Sequence, residues 1–371
     1  MKKRLVLAGG GHAHMMAMVH LGGFVEKGHD VTVIGPSEHH YYSGMGPGML
    51  GGTYHPEDIR FAIRHLVEKN GGSFRIGNVV RIDADARIVH LDNGESIHYD
   101  ILSCNLGSHV NLDIVKGDPS GIYTVKPIER LMAAREEILS RGTLFPISIG
   151  IVGGGPSAVE IAGNVHRLAQ SPGMKTTSIK ILTRGGIMPH HPKGIRNRAL
   201  ASLKNRGIDI LENCTVQEVS TGIVAESSGT HHEFDIIFLA SGVQPNRVFR
   251  DSGIETGPDG GLLVNQHLQH KRHPEIFGGG DCICFEDSPL DKVGVFAVRQ
   301  NPVLLHNLMA SLEDEDLKAF DPGGSYLLIF NLGDGTGIFH KWFVRFGGAP
   351  AFRIKDYIDR KFMRTFQAFE K

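Results

Sequence analysis

The sequence predicts an α/β chain made of two parallel-sheet units, the second inserted in the first, with a small α+β region at the C-terminus. Three observations carry that expectation. A run of branched residues ending in a glycine turn occurs twice, as "RLVLAGGGHAH" (4–14) and "SIGIVGGGPSA" (148–158). Each copy is followed by a helical stretch and a second strand-like run, and strands alternating with helices imply parallel sheets with right-handed crossovers. At 371 residues the chain also exceeds the size at which a single core usually divides.

The repeat continues beyond the turns. "DVTVIGP" (30–36) has its counterpart in "SIKILTR" (178–184), and "DILSCNLGS" (100–108) in "DIIFLASGVQPN" (235–246). The order is glycine turn, second strand, then an aspartate-led strand ending in Gly107-Ser or Ser-Gly242, so the simplest reading is two Rossmann-type units. In such a turn the first glycine permits the tight bend and the second lets a pyrophosphate approach the backbone. The helix N-terminus then offers unpaired N–H groups and a positive dipole end. These positions are Gly9 and Gly11, followed by His12, Ala13 and His14, and Gly153 and Gly155, followed by Pro156, Ser157 and Ala158. Alanine is a common third residue. His14 in that place is expected to push helix and strand apart or to turn its ring outward.

The residue ending each second strand selects the nucleotide, because an acid binds a ribose 2′-OH and a base accommodates a 2′-phosphate. Thr183-Arg184 in the second unit leans toward NADPH over NADH. The first unit has Gly35-Pro36 there, leaving Glu38 or backbone groups to hold the ribose.

Composition narrows the rest. The 39 basic and 40 acidic residues give a net charge of −1, so no overall field draws the chain to nucleic acid or anionic lipid. No run reaches the roughly 18 apolar residues of a spanning helix, and the N-terminus enters a strand without a cleavage site. Cys104, Cys214, Cys282 and Cys284 are too few and too unevenly placed for a disulfide framework. A soluble, cytoplasmic protein is expected. The 48 glycines cluster after apolar runs, which favours close backbone approach to phosphates over flexible linkers. Histidine pairs at 39–40, 190–191 and 231–232 lack the spacing of a metal motif, and no metal is expected.

With these motifs the chain resembles the two-dinucleotide-binding flavoproteins, the pyridine nucleotide-disulfide oxidoreductase superfamily, over nearly its whole length. "YYSGMGPGMLGGTY" (41–54), "GVFAVRQNPVLLHNL" (294–308) and "IKDYIDRKFMRTFQ" (354–367) look like its type II NADH dehydrogenase-like branch, which also occurs fused to selenide, water dikinase. In that branch the first turn also tends to read Gly-Gly-Gly-His-Ala-His. The resemblance implies FAD in a domain of residues 1–112 and 245–317, NADPH or NADH in a domain of 113–244, and a C-terminal region of 318–371. Asp281 in "IFGGGDCICF" matches the aspartate that binds the FAD ribitol, with Gly280 beside it.

The implied reaction is hydride transfer from nicotinamide to FAD, then electron transfer to a quinone or similar small acceptor. Region 37–66 contains no cysteine, which argues against dithiol relay chemistry. A sulfur- or selenium-species oxidoreductase, or a flavin-bearing partner of a selenium-handling protein, is the alternative. The resemblance places Gln300 at the quinone side and Glu160, in "VEIAG", at the nicotinamide side. Arg299 is read as stabilising the reduced flavin or the acceptor by charge. Pro47 is read as shaping the loop beside the flavin, and Lys126 as approaching it.

The tail reads as a strand-rich unit (318–352) and a helix (353–371). Ile354, Tyr357, Ile358, Phe362 and Phe366 recur at helical spacing with basic residues between them. That stripe is expected to pack on the first unit or on a second copy in a homodimer. In the other reading it lies peripherally on the inner face of a membrane.

Overall fold

A computed structural model describes residues 1–371. The chain forms two five-stranded, all-parallel sheets. In the first, the spatial order is Ile276–Gly278, Ile101–Cys104, Arg4–Ala8, Asp30–Gly35, Ser73–Ile76. In the second it is Ile122–Thr124, Ile236–Leu239, Ile147–Val152, Thr177–Thr183, Asp209–Glu212. Four strands of each sheet follow the same sequence, with the glycine-turn strand paired between the second strand and the aspartate-led strand. The fifth differs in origin: Ile276–Gly278 returns to the first sheet after the second is complete.

The runs are strands because they are short, rich in Val, Ile and Leu, and buried on both faces, as parallel sheets covered by helices must be. Leu5, Leu7, Ala8, Ile149 and Ile151 are fully buried. Smaller antiparallel sheets decorate the edges of these units. One of them, Ser108–Val110 with Val243–Pro245, joins the ends of the two aspartate-led segments.

The tail forms a three-stranded antiparallel meander, Leu328–Asn331, Gly337–Lys341 and Val344–Gly348, followed by the helix Ala349–Gln367. The helix starts four residues before the expected 353, because Pro350 in its first turn carries no N–H to satisfy and presets a helical φ. Its inward face also differs from the expected stripe. Ala351, Lys355, Asp359 and Met363 are buried, and Phe362 and Phe366 pack against Phe61. Ile354, Tyr357 and Ile358 remain exposed at 37%, 67% and 41%. The helix buries a charge pair, and three of the five residues of the expected stripe face outward. No helix is long and apolar enough to cross a membrane.

Candidate functional site

The two glycine turns are built alike. Gly9 and Gly153 sit at φ 99° and 133°, and each donates its N–H to the neighbouring second strand, at Ile34 O (2.8 Å) and Leu182 O (2.9 Å). A Cβ on either would lie 2.2 Å from a carbonyl oxygen at the end of the aspartate-led strand, Asn105 or Ala240. Only glycine fits there. Gly11 and Gly155 then cap the following helical turns in extended conformation, without a side chain folding back over the first N–H groups. Pro156 opens the second helix, Pro156–Leu168, with exposed Ser157 beside it.

The first turn opens onto a cleft of about 270 Å³. Its floor includes Gly9, Gly11, His12, Gly107 and Gly280, and its rim includes Asn78, Lys126, Asp281 and Ala297. No cysteine lines it. Gly107 (φ 68°) and Gly294 leave open space where side chains would stand. Asp281 Oδ2 accepts from Lys126 Nζ at 2.5 Å and from Ser108 Oγ at 2.7 Å, leaving Oδ1 without a partner. Burial works against the Asp281 carboxylate, but the Lys126 ammonium, the Ser108 hydroxyl and Lys292 together outweigh it and hold the carboxyl below its ordinary range.

His14 differs from both outcomes expected of it. Its ring turns inward and is fully buried, with Nδ1 2.7 Å from Gly9 O and Nε2 2.7 Å from Ser103 Oγ. A carbonyl only accepts, so Nδ1 carries the proton and Nε2 accepts from the Ser103 hydroxyl. Burial lowers its pKa to about 4 and keeps the ring neutral. His14 and its neighbour Ala13, also fully buried, therefore tie the turn to the adjacent strand from beneath and do not line the cleft.

His12 does line it. The ring lies against His40 (centroids 4.9 Å), Tyr42 (5.1 Å) and Phe362 of the C-terminal helix (5.6 Å, stacked), and its Nε2 is shielded without a hydrogen-bond partner. Burial, and then the nearby Lys126, lower the His40 pKa to about 4. Both rings are neutral near pH 7.

Four further residues are placed differently from their expected roles. Glu38 is exposed and its carboxylate pairs with Arg64 at 2.6 Å, outside the cleft; Gly35 and Pro36 line the wall in its stead. Arg299 donates to Pro322 O and Gly324 O and lies over Phe296, so its charge meets a loop. The reason is helical phase: Gly294 and Ala297 take the cleft-facing side of Gly294–Glu313. Gln300 is fully buried and accepts from Gly280 N–H (2.7 Å), which fixes the Asp281 turn, while its Nε2 has no partner. Glu160 faces the tail: its carboxylate accepts from Asn331 N–H at 2.7 Å, and burial raises its pKa.

Pro47 lies in the short helix Gly46–Leu50 beside the cleft-lining Ser43. Arg184 is exposed at the end of Thr177–Thr183 and makes no ion pair, while Gly242 (φ 103°) stands at the end of the aspartate-led strand of the same sheet. Pattern reading missed Asn105, Ser108 and Asn78. Asn105 donates to Gly279 O (2.6 Å) and so clamps the first turn to the Asp281 turn. Its position in "DILSCNLGS", beside an already noted Gly107, was the available signal.

The residues present fit a flavin dinucleotide: a glycine turn with open helical N–H groups, a cleft that two glycines leave empty, and an ionised carboxylate with one oxygen free. Fold and cleft define a dinucleotide-binding α/β oxidoreductase. Residues 3–308 match the pyridine nucleotide-disulphide oxidoreductase family, and the chain belongs to it. It is 27% identical over 290 residues to ferroptosis suppressor protein 1 of Taeniopygia guttata, covering 74% of this chain and 73% of that one. It is 23% identical over 347 residues to a type II NADH:quinone oxidoreductase of Staphylococcus aureus, covering 86% and 85%. The sulfide:quinone oxidoreductase of Aquifex aeolicus shares the fold, with a TM-score of 0.79 at 19% identity over 99% of this chain and 92% of that one.

Proposed function

We propose that this protein is an FAD-dependent NAD(P)H dehydrogenase that passes electrons to a quinone or a similar small acceptor. The observation that carries the reading is the cysteine-free cleft between the Gly9–Gly11 turn and Asp281, joined in one chain to a second glycine turn of the same build. When bound, FAD supplies the hydride-accepting chemistry and its two-electron store. The protein's part is binding and orientation. The open N–H groups after Gly11 would hold the pyrophosphate, and the Asp281 carboxylate would hold the ribitol. Gln300 holds the Asp281 turn in place, and Lys126 keeps the carboxylate ionised. The turn at Gly153–Gly155 receives the nicotinamide nucleotide. Exposed, unpaired Arg184 favours one carrying a 2′-phosphate.

In this reading residues 1–112 and 245–317 form the FAD domain, 113–244 the nucleotide domain, and 318–371 a region that packs on the FAD domain through Phe362 on His12. An oxidoreductase of sulfur or selenium species stays the second reading, since a sulfide:quinone oxidoreductase shares the fold, but the cysteines present do not favour a thiolate route. All four cysteines are buried, and burial raises the thiol pKa of each, Cys282 to about 11.

The same region offers a face for a peripheral membrane contact. Trp342, Phe343 and Val344 at the hairpin and Ile354, Tyr357 and Ile358 on the helix are exposed, with Arg353, Lys361 and Arg364 on the same helix. Replacing Trp342, Phe343 and Tyr357 by serine should abolish flotation with anionic vesicles; unchanged flotation overturns this contact.

The deciding experiment is an anaerobic titration of the flavin-loaded protein with NADPH and with NADH, followed by a soluble quinone. Bleaching of the flavin by one nucleotide and reoxidation by quinone support the dehydrogenase. Flavin that binds but is bleached by neither nucleotide overturns it.

A further inference from the structure

A second cluster of chemistry-bearing side chains lies away from the cleft, on the three-stranded antiparallel sheet Val216–Ser220, Ile223–Glu226, His231–Glu233. Residues two apart on a strand, and residues directly opposite on a paired strand, share a face. Val224 and Glu226 are two apart, and His232 stands opposite Val224. Val224 is fully buried, so this is the inward face, where an apolar set is the ordinary choice. Glu226 and His232 occupy it instead, with side chains only 14% and 17% exposed. Cys214, two residues before Val216 and 2% exposed, joins them. The sulfur, a carboxylate oxygen and an imidazole nitrogen all lie within 4.8 Å of one another, and Glu226 Oε1 is 2.6 Å from His232 Nε2.

We propose that Cys214, Glu226 and His232 bind a divalent transition metal of the zinc class. One sulfur, one nitrogen and one oxygen donor suit a tetrahedral ion, with water in the fourth position. Bond lengths of about 2.3 Å to sulfur and 2.0–2.2 Å to nitrogen and oxygen put the donors roughly 3.5 Å apart, within side-chain adjustment of what is present. A thiolate and a carboxylate together cancel the charge of the ion, which suits a site shielded from water. Binding forms the metal–sulfur, metal–nitrogen and metal–oxygen bonds, the thiol proton leaves to solvent, and the imidazole keeps its proton on Nδ1. Cys214 N–H donates to Thr183 O at 3.1 Å. The ion therefore clamps the small sheet to the strand end that carries Arg184.

The test uses the full, flavin-loaded chain, freed of metal by chelator and dialysis and titrated with Co²⁺, then Zn²⁺. One equivalent of Co²⁺ should bind with a thiolate-to-cobalt charge-transfer band and the intense red ligand-field bands of a four-coordinate site, both erased by Zn²⁺. Cys214→Ser should remove the charge-transfer band, and His232→Gln should weaken binding by more than roughly tenfold, with flavin content unchanged. Absence of the band in the native chain at one equivalent overturns the proposal, and so does a band that persists in Cys214→Ser. Should Cys214→Ser fail to retain flavin, Glu226→Gln and the native titration decide by the same readouts. A loss confined to Cys214→Ser, with Glu226→Gln and His232→Gln binding as the native chain, also overturns the triad.

Discussion

Lys126 Nζ lies 2.5 Å from Asp281 Oδ2, an ammonium just past the edge strand Ile122–Thr124 of the second sheet set against a carboxylate of the returning strand's turn. Asp281 is the group whose charge this pair protects. Its folded pKa is depressed, so its contribution is present above the unfolded value of about 3.9 and is lost as pH falls through the folded one. Lys126→Met removes the opposing charge and leaves the burial, which by itself raises the pKa. Flavin release followed by fluorescence during acidification should therefore begin at a higher pH in Lys126→Met than in the native protein. Superimposable release curves would show that the pair does not govern retention.

His14 gives a prediction about stability. Replacing it with alanine removes two buried hydrogen bonds and opens a cavity beneath the turn, at a cost of roughly 2–4 kcal/mol. The pH sign follows from a base whose folded pKa is lowered from 6.5 to about 4. Its neutral form stabilises the fold above pH 6.5, and that contribution drains away as pH falls toward 4, by up to about 3 kcal/mol. Thermal unfolding across that window should be steeper in pH for the native protein than for His14→Ala. Parallel curves displaced by a constant would place the titration on other groups, His40 first.

Arg299→Met separates the charge expected from the resemblance from the contact found. The guanidinium is spent on Pro322 O and Gly324 O, so reduction by nucleotide and reoxidation by acceptor should each stay within about twofold of native rates. Melting should fall by about 1 kcal/mol for the lost charge-assisted bonds. A tenfold slower half-reaction would return Arg299 to the flavin.

Both turns were legible in the sequence because a strand–turn–helix written in glycines is a local object: the bend, the close carbonyl and the open N–H groups all lie within a few residues. Asp281 was legible through the resemblance, which matches "IFGGGDCICF" to the flavin-binding aspartate of the superfamily. Side-chain direction was not. Arg299 is adjacent to Gln300 in sequence, but which face of that helix meets the cleft is set by its packing on the turn before Asp281, where a Cβ on Gly279 would stand 2.6 Å from Leu304 of this helix. His14 reads as a misfit only until Ser103, 89 residues on, offers its hydroxyl. The tail stripe likewise counts apolar residues and overlooks that Lys355 and Asp359, four apart, can go inside as a pair.

That pair supports the last prediction. Lys355 Nζ donates to Asp359 Oδ2 and to Gly44 O, each at 2.7 Å, and Tyr42 Oη donates to Asp359 Oδ1 at 3.0 Å. Burial alone lowers the lysine pKa, but Asp359 and then Glu160 more than offset it, and the ammonium is held above its ordinary value. Asp359→Ala leaves that ammonium shielded from water with less compensation, costing roughly 3 kcal/mol, and it frees the helix that holds Phe362 against His12. Limited proteolysis should then cut within 349–367 while the glycine-turn sheets stay intact. Because a buried pair is costly to break but not to replace, Lys355→Met with Asp359→Leu should restore most of the resistance. If the double variant is cut as fast as Asp359→Ala, the hydrogen bonds to Gly44 and Tyr42 hold the helix, and the charge pair does not.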